Sequence, residues 1–106
     1  MPSQINPVEL KQRLDRGDDL VILDVREPEE LALARLDIAV HIPMGEIVGR
    51  LHEIDPEQEI VVMCHHGIRS AQVASFLAQR DFPRVLNLAG GIDSWSRSVD
   101  PSVPRY

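Results

Sequence analysis

Short runs of branched apolar residues, separated by segments with helical spacing, constrain the fold of this chain more than any other feature. Four such runs occur, at residues 20–23, 39–42, 60–63 and 85–88. Each is too short for a helix and suits a buried strand. The segments between them have the apolar spacing or the start signals of helices, and strands that alternate with helices form a mostly parallel sheet covered on both faces. The pattern therefore predicts an α/β fold.

The helix signals are clearest near the N-terminus, where Asn6, Pro7 and Glu9 form a typical N-cap, N1 and N3 sequence. We expect that helix to end near Gly17, since glycine readily takes the conformation that ends a helix. The other helices are predicted at residues 28–34, 45–54 and 70–80, with a short one around residues 94–95. Because 106 residues suit one compact domain, we expect residues 1–106 to form a single domain with a C-terminal tail at 100–106.

Composition narrows the possible partners and location. The net charge of −6 argues against nucleic acid and anionic membranes as partners. The chain has no apolar run of membrane-spanning length and no signal-peptide pattern at its start, so we expect a cytoplasmic protein with no membrane partner. The only cysteine, Cys64, excludes an internal disulfide, a two-cysteine redox pair and a cysteine-based zinc site.

The acidic residues are unevenly distributed along the chain. Residues 60–80 contain no aspartate or glutamate, although they include His65, His66, Arg69 and Arg80. In an acidic protein, a basic segment of this kind is where we expect an anion to bind.

Cys64 lies within this basic segment, directly after the predicted strand 60–63. Ligands of parallel sheets bind beyond the carboxyl ends of the strands, which is the position of this cysteine. The following loop directs backbone N–H groups and the positive end of a helix dipole at one point, and Gly67 permits a positive φ there. We therefore expect Cys64 to be a nucleophile with a lowered pKa. A buried structural cysteine is the alternative interpretation.

Three segments resemble the signatures of the rhodanese family. The active-site loop of that family is a six-residue stretch that begins with the nucleophilic cysteine and precedes a helix, and residues 64–69 match it. Residues 23–27 are similar to the family's first signature, and residues 88–92 with Trp95 are similar to its last. The segments occur in the family's order and at its spacing, over nearly the whole chain.

The resemblance implies a rhodanese-like fold with a central, mostly parallel, five-stranded sheet and no metal or organic cofactor. It also implies a sulfurtransferase that carries sulfur as a Cys64 persulfide. A small anionic compound such as thiosulfate would donate the sulfur, and cyanide, a thiol or a protein would accept it. The loop residues that would bind the anion or substrate are His65, His66, Gly67, Ile68, Arg69 and Ser70. At residues 34–43 only a strand and Pro43 match, so the resemblance implies no geometry there.

Several charged residues near these signatures have structural interpretations. Asp24 and Arg26 are expected to form an ion pair that braces the loops. Arg69 lies at a helix start, where a cation opposes the helix dipole, so we expect it to face a bound anion or a nearby carboxylate. Glu27 and Glu30 are interpreted as helix N-terminal acids.

The two histidines after Cys64 are interpreted as rim residues that help to attract an anionic donor. A metal site made of Cys64, His65 and His66 is not expected, because three consecutive side chains rarely converge on one ion. A cysteine–histidine catalytic pair would require one of the rings to fold back to the sulfur.

Two other functions remain as alternatives. Cysteine-loop phosphatases and arsenate reductases resemble this fold but have five residues between the cysteine and the arginine. Only four lie between Cys64 and Arg69, which favours a sulfur atom over a phosphate in the loop. The second alternative is a sulfur-carrier or interaction module that delivers sulfur to a partner protein and turns over simple donors slowly.

Overall fold

A computed structural model describes residues 3–106, in which five strands and four α-helices alternate along the chain. The strands are β1 (Ser3–Ile5), β2 (Leu20–Asp24), β3 (Val40–His41), β4 (Glu59–Met63) and β5 (Val85–Leu88). The helices are α1 (Pro7–Asp15), α2 (Pro28–Leu33), α3 (Ile68–Ala78) and α4 (Gly91–Ser98), with short 3-10 turns at Met44–Glu46 and Leu51–Glu53. None of the described helices is long and apolar enough to cross a membrane.

The strands form one parallel sheet in the order β1-β5-β4-β2-β3, with β4 at its centre. Side chains of β4 alternate between the two faces, so Val61 and Met63 belong to one apolar cluster while Ile60 and Val62 belong to the other. Helices α1 and α4 cover the first cluster, and α3 covers the second. The predicted α/β fold, with helices on both faces of a five-stranded sheet, is therefore confirmed.

Strand β1 was not located by the apolar pattern, which indicated only four strands. It pairs with β5 at the edge of the sheet, with Ser3 opposite Leu86 and Ile5 opposite Leu88. Of its three residues only Ile5 is buried, so the segment is too short to show the alternation of a strand.

The prediction of a helix at residues 45–54 is wrong. The segment contains two 3-10 turns, closed by backbone hydrogen bonds such as the 2.9 Å bond from Glu53 N to Arg50 O. Gly45 and Gly49 explain the difference, because each glycine lowers the stability of an α-helix by about 1 kcal/mol relative to alanine. Apolar spacing alone did not reveal this weakness.

The predicted tail, residues 100–106, packs against the domain. Val103 is buried in the same cluster as Trp95. At the end of the tail, the Tyr106 hydroxyl accepts a 2.9 Å hydrogen bond from Arg26 Nη1. The tail thereby brings an aromatic side chain to the edge of the sheet where β2 and β4 end.

Asp24 and Arg26 form an ion pair beneath this edge. Their side chains are 1% and 0% exposed, and Arg26 donates from Nη2 to Asp24 Oδ2 at 2.7 Å and from Nε to Oδ1 at 3.0 Å. Such a pair is costly to break, since removing one partner leaves an uncompensated buried charge. This buried ion pair thus fixes the path of the chain between β2 and α2.

Candidate active site

The loop after the central strand β4 surrounds the Cys64 sulfur with hydrogen-bond donors. Gly67 N lies 3.1 Å from Sγ, and Ser70 Oγ lies 3.3 Å from it. Gly67 is the N-cap of α3 and has a φ of +100°. A Cβ atom there would lie 3.1 Å from Gly90 N and 3.3 Å from Leu88 O, so both the conformation and the space favour glycine.

The start of α4 holds the other side of the loop. Ile92 N donates to Cys64 O at 2.9 Å, and Asp93 N donates to His65 O at 3.1 Å. These N–H groups belong to the first turn of α4, where they have no partner within the helix. The helix therefore binds the backbone of the loop, while the donors of the loop itself remain directed at the sulfur.

Gly91 makes this contact possible. Its φ is +61°, and an added Cβ would lie 2.5 Å from Cys64 O and 2.4 Å from His65 O. The sequence indicated only a tight turn at Gly90 and Gly91. The close approach of two backbones was not visible in the sequence, because it depends on how β4 and β5 are placed side by side.

The donors around the sulfur favour the thiolate. Burial opposes ionisation of Cys64, which is 1% exposed, and it is the largest single influence on the pKa. Hydrogen bonds from the Ser70 hydroxyl and from backbone N–H groups of Ser70, Gly67 and His66 act in the other direction. Together they outweigh burial, and the pKa of Cys64 is lowered from its ordinary value.

Replacing Ser70 with alanine is expected to raise the pKa of Cys64, because the substitution removes the hydroxyl that donates to the sulfur. The fraction of thiolate at neutral pH then falls, and alkylation by iodoacetamide slows. The rate of alkylation against pH measures the shift. The variant Ser75→Ala is the control, since that serine lies on the same helix but does not bond to the sulfur. An unchanged midpoint in Ser70→Ala would contradict the contribution of the Ser70 hydroxyl to the lowered pKa of the thiol.

Arg69 faces a carboxylate, one of the two partners expected for it. Arg69 Nη1 donates to Glu30 Oε2 at 2.7 Å, and Nη2 donates to Oε1 at 2.8 Å. Glu30 is the N3 residue of α2, as interpreted from the sequence, and its pairing with Arg69 was missed. The two residues are 39 positions apart, so only the neighbouring positions of β2 and β4 bring them together.

His65 and His66 differ in their environments. The His65 ring stacks on Tyr106, with ring centroids 3.8 Å apart, whereas His66 is exposed. Burial and the neighbouring His66 lower the pKa of His65, so it carries less positive charge at neutral pH than a free histidine. The ring therefore contributes mainly a packed wall next to the thiol loop.

Among residues 3–106, the group with ligand atoms within metal-binding reach is His65, His66 and Asp93, and it does not include Cys64. One oxygen of Asp93 already accepts a 2.9 Å bond from Arg105.

Of the other predicted site residues, Ile68 begins α3 and is 73% exposed. Arg35, Leu36, Asp37 and Ala39, within the segment where the resemblance departs, line a surface cavity of about 450 Å³ that includes no residue of the Cys64 loop.

Comparisons with known proteins identify the family of this chain. The Rhodanese-like domain family model matches residues 6–98. A sulfurtransferase of Allochromatium vinosum is 38% identical over 103 residues, which cover 97% of this chain and 96% of the relative. The thiosulfate sulfurtransferase GlpE of Actinobacillus pleuropneumoniae serotype 5b is 32% identical over 105 residues, which cover 98% of this chain and 95% of the relative.

Among solved structures, a rhodanese-related protein from Thermoplasma volcanium is similar to this chain with a TM-score of 0.85 and 30% identity, over 98% of this chain and 99% of that one. The similarity thus extends across both chains, as it does for the two sulfurtransferases. This chain belongs to the rhodanese-like domain family.

Proposed function

We propose that this protein is a sulfurtransferase that carries sulfane sulfur on Cys64. The observation that supports it most directly is the position of the Cys64 sulfur at the end of the central strand, with donors from Gly67 and Ser70 directed at it. A thiolate in such a loop is a ready nucleophile, and the same donors can stabilise the negative charge of a persulfide.

In the first step, the Cys64 thiolate attacks the outer sulfur of the donor. A new S–S bond forms to that sulfur, the donor's own S–S bond breaks, and its electron pair leaves with the departing group. With thiosulfate the leaving group is sulfite. In the second step cyanide attacks the outer sulfur of the persulfide, takes it as thiocyanate and returns the electron pair of the S–S bond to Cys64. A thiol or a protein acceptor would occupy the place of cyanide in a cell.

The steps balance without a metal or an organic cofactor, and none is part of the proposal. We also place the protein in the cytoplasm, where reducing conditions keep a lone cysteine such as Cys64 as a free thiol.

Phosphatase chemistry is less well supported by the same site. An arginine in such a loop recognises phosphate through its charge and its paired N–H groups, and Glu30 pairs with the charge of Arg69 through Nη1 and Nη2. The loop with four residues between Cys64 and Arg69 is also shorter than the phosphatase loop described above.

Intact mass after incubation with thiosulfate tests the proposal, beside turnover assays with an aryl phosphate and arsenate. We expect one added sulfur atom, its loss on addition of cyanide with release of thiocyanate, and no reaction with the phosphorus or arsenic compounds. Hydrolysis of the phosphate ester without uptake of sulfur would overturn the proposal. A persulfide that forms but passes slowly to cyanide would instead favour the sulfur-carrier alternative.

A further inference from the structure

Arg69 is the only permanently charged side chain among residues 64–70, and its guanidinium forms a salt bridge with the Glu30 carboxylate. Its Nη1 and Nη2 both donate to the Glu30 carboxylate, at 2.7 and 2.8 Å, so a full negative charge is paired with the guanidinium. Nη1 and Nη2 form one of the donor pairs with which an arginine binds the oxygens of a sulfonate or a sulfate, and Glu30 also neutralises the charge that would attract them. The positive charge of Arg69 in the Cys64 loop is therefore largely neutralised by the Glu30 carboxylate.

Glu30 is held firmly in this position. Besides the bonds from Arg69, its carboxylate accepts a 2.8 Å hydrogen bond from the Tyr106 hydroxyl and a 2.9 Å hydrogen bond from Glu27 N. The bond with Arg69 lowers the pKa of Glu30 most, burial raises it, and the bonds from Glu27 N and Tyr106 lower it further, which gives a pKa of about 2. Glu30 is thus charged throughout the neutral range, and Tyr106 is fixed in turn by Arg26.

Resting on the proposed function, we infer that Glu30 is a specificity-determining residue that selects sulfur donors of low charge. Thiosulfate brings two negative charges to a loop that already contains a thiolate. With Arg69 neutralised by Glu30, no permanent side-chain charge of residues 64–70 remains unpaired to offset them. A small organic persulfide with an uncharged carbon group brings at most one negative charge, so it loses less from the absence of a free cation.

The transfer from such a persulfide is balanced in the same way as that from thiosulfate. The Cys64 thiolate bonds to the outer sulfur of the donor, the donor's S–S bond breaks, and the organic thiolate leaves with the electron pair. No oxidant or reductant is consumed, because one persulfide replaces another.

The test compares thiosulfate and hydroxyethyl persulfide as donors to the unmodified protein and to Glu30→Gln. Glutamine keeps the length of the side chain and suits the N3 position of a capping box, so the helix start is preserved. We expect kcat/KM for thiosulfate to rise about tenfold in Glu30→Gln, while the value for hydroxyethyl persulfide changes by less than about twofold. Added salt should reduce the difference, because it screens the charges at the mouth of the loop.

Glu29→Gln is the matched control, since it removes the same charge from the same helix at an exposed residue that does not bond to Arg69. We expect it to change neither donor's kcat/KM appreciably. In a second variant, Arg69→Gln, we expect kcat/KM for thiosulfate to change in the opposite direction, that is, to fall. The substitution leaves the Glu30 carboxylate unpaired near the loop, so thiosulfate should lose more kcat/KM than hydroxyethyl persulfide. This variant decides the question if Glu30→Gln does not fold.

The inference is overturned if the ratio of the two kcat/KM values is the same in the unmodified protein and in the folded variants. It is also overturned if Glu29→Gln changes the ratio as much as Glu30→Gln. If neither donor places a sulfur atom on Cys64 in the unmodified protein, the proposed function itself fails, which is a different result.

Discussion

We expect Cys64→Ala to eliminate sulfur transfer and to leave a folded protein. The chain has no other cysteine that could replace the nucleophile, and the remaining loop can only bind an anion. We expect thiocyanate production to fall to the background rate and the added sulfur to be absent from the intact mass. Because a single buried heavy atom is removed, the free energy of unfolding should fall by only about 1 kcal/mol, which thermal unfolding can measure.

Cys64→Ser serves as the control for packing, since the hydroxyl nearly fills the space of the thiol but does not ionise at neutral pH. We expect it to be as inactive as Cys64→Ala. Substantial sulfur transfer by either variant, in a preparation with a cooperative unfolding transition, would refute Cys64 as the carrier.

Gly91→Ala is expected to have the second largest effect, although Gly91 does not contact the sulfur. The added Cβ would lie within 2.6 Å of backbone atoms of Cys64 and His65, and neither backbone can yield without moving the loop. A misplacement of about 1 Å in a catalytic group costs roughly 10²-fold in rate. The positive φ of a non-glycine residue adds about 1–3 kcal/mol of strain to the folded state. We expect kcat/KM to fall at least about 10²-fold and the unfolding temperature to drop.

Gly49→Ala is the matched control for this change. Gly49 has no positive φ, and the nearest atom to its added Cβ is 4.0 Å away. Its substitution should leave sulfur transfer unchanged and the unfolding temperature equal or higher, since alanine reduces the freedom of the unfolded chain. If Gly91→Ala behaved like Gly49→Ala, the packing of α4 against the loop would not be needed for activity.

The sequence was most informative where structure depends on nearby residues. Strands β2 to β5, the capping of α1 by Asn6 and the turn from β4 into α3 all follow from local apolar runs and cap residues. These signals were enough to identify Cys64 as the candidate nucleophile. Residues 45–54 are the exception. Their apolar spacing led us to predict a helix, although Gly45 and Gly49 weaken one there.

The parts that could not be predicted depend on residues far apart in the chain. The bond from Tyr106 to Glu30 joins residues 76 positions apart, and that from Arg26 to Tyr106 joins residues 80 apart. No local pattern marks such contacts, since they are set by the order of strands in the sheet. The unfavourable position of Arg69 at a helix start was the one local sign that a partner was needed.

The all-parallel sheet has a consequence for the way the thiol becomes reactive during folding. Every strand pairing, including that of β1 with β5, joins segments separated by a crossover, so the chain gains few of its sheet contacts locally. Domains with such distant pairings fold more slowly than helical ones. Until β4, β5 and α4 have assembled, the donors around Cys64 are not gathered, and its sulfur has the reactivity of an ordinary cysteine. Fast alkylation at neutral pH would therefore report the arrival of the native state, and could be used to time it.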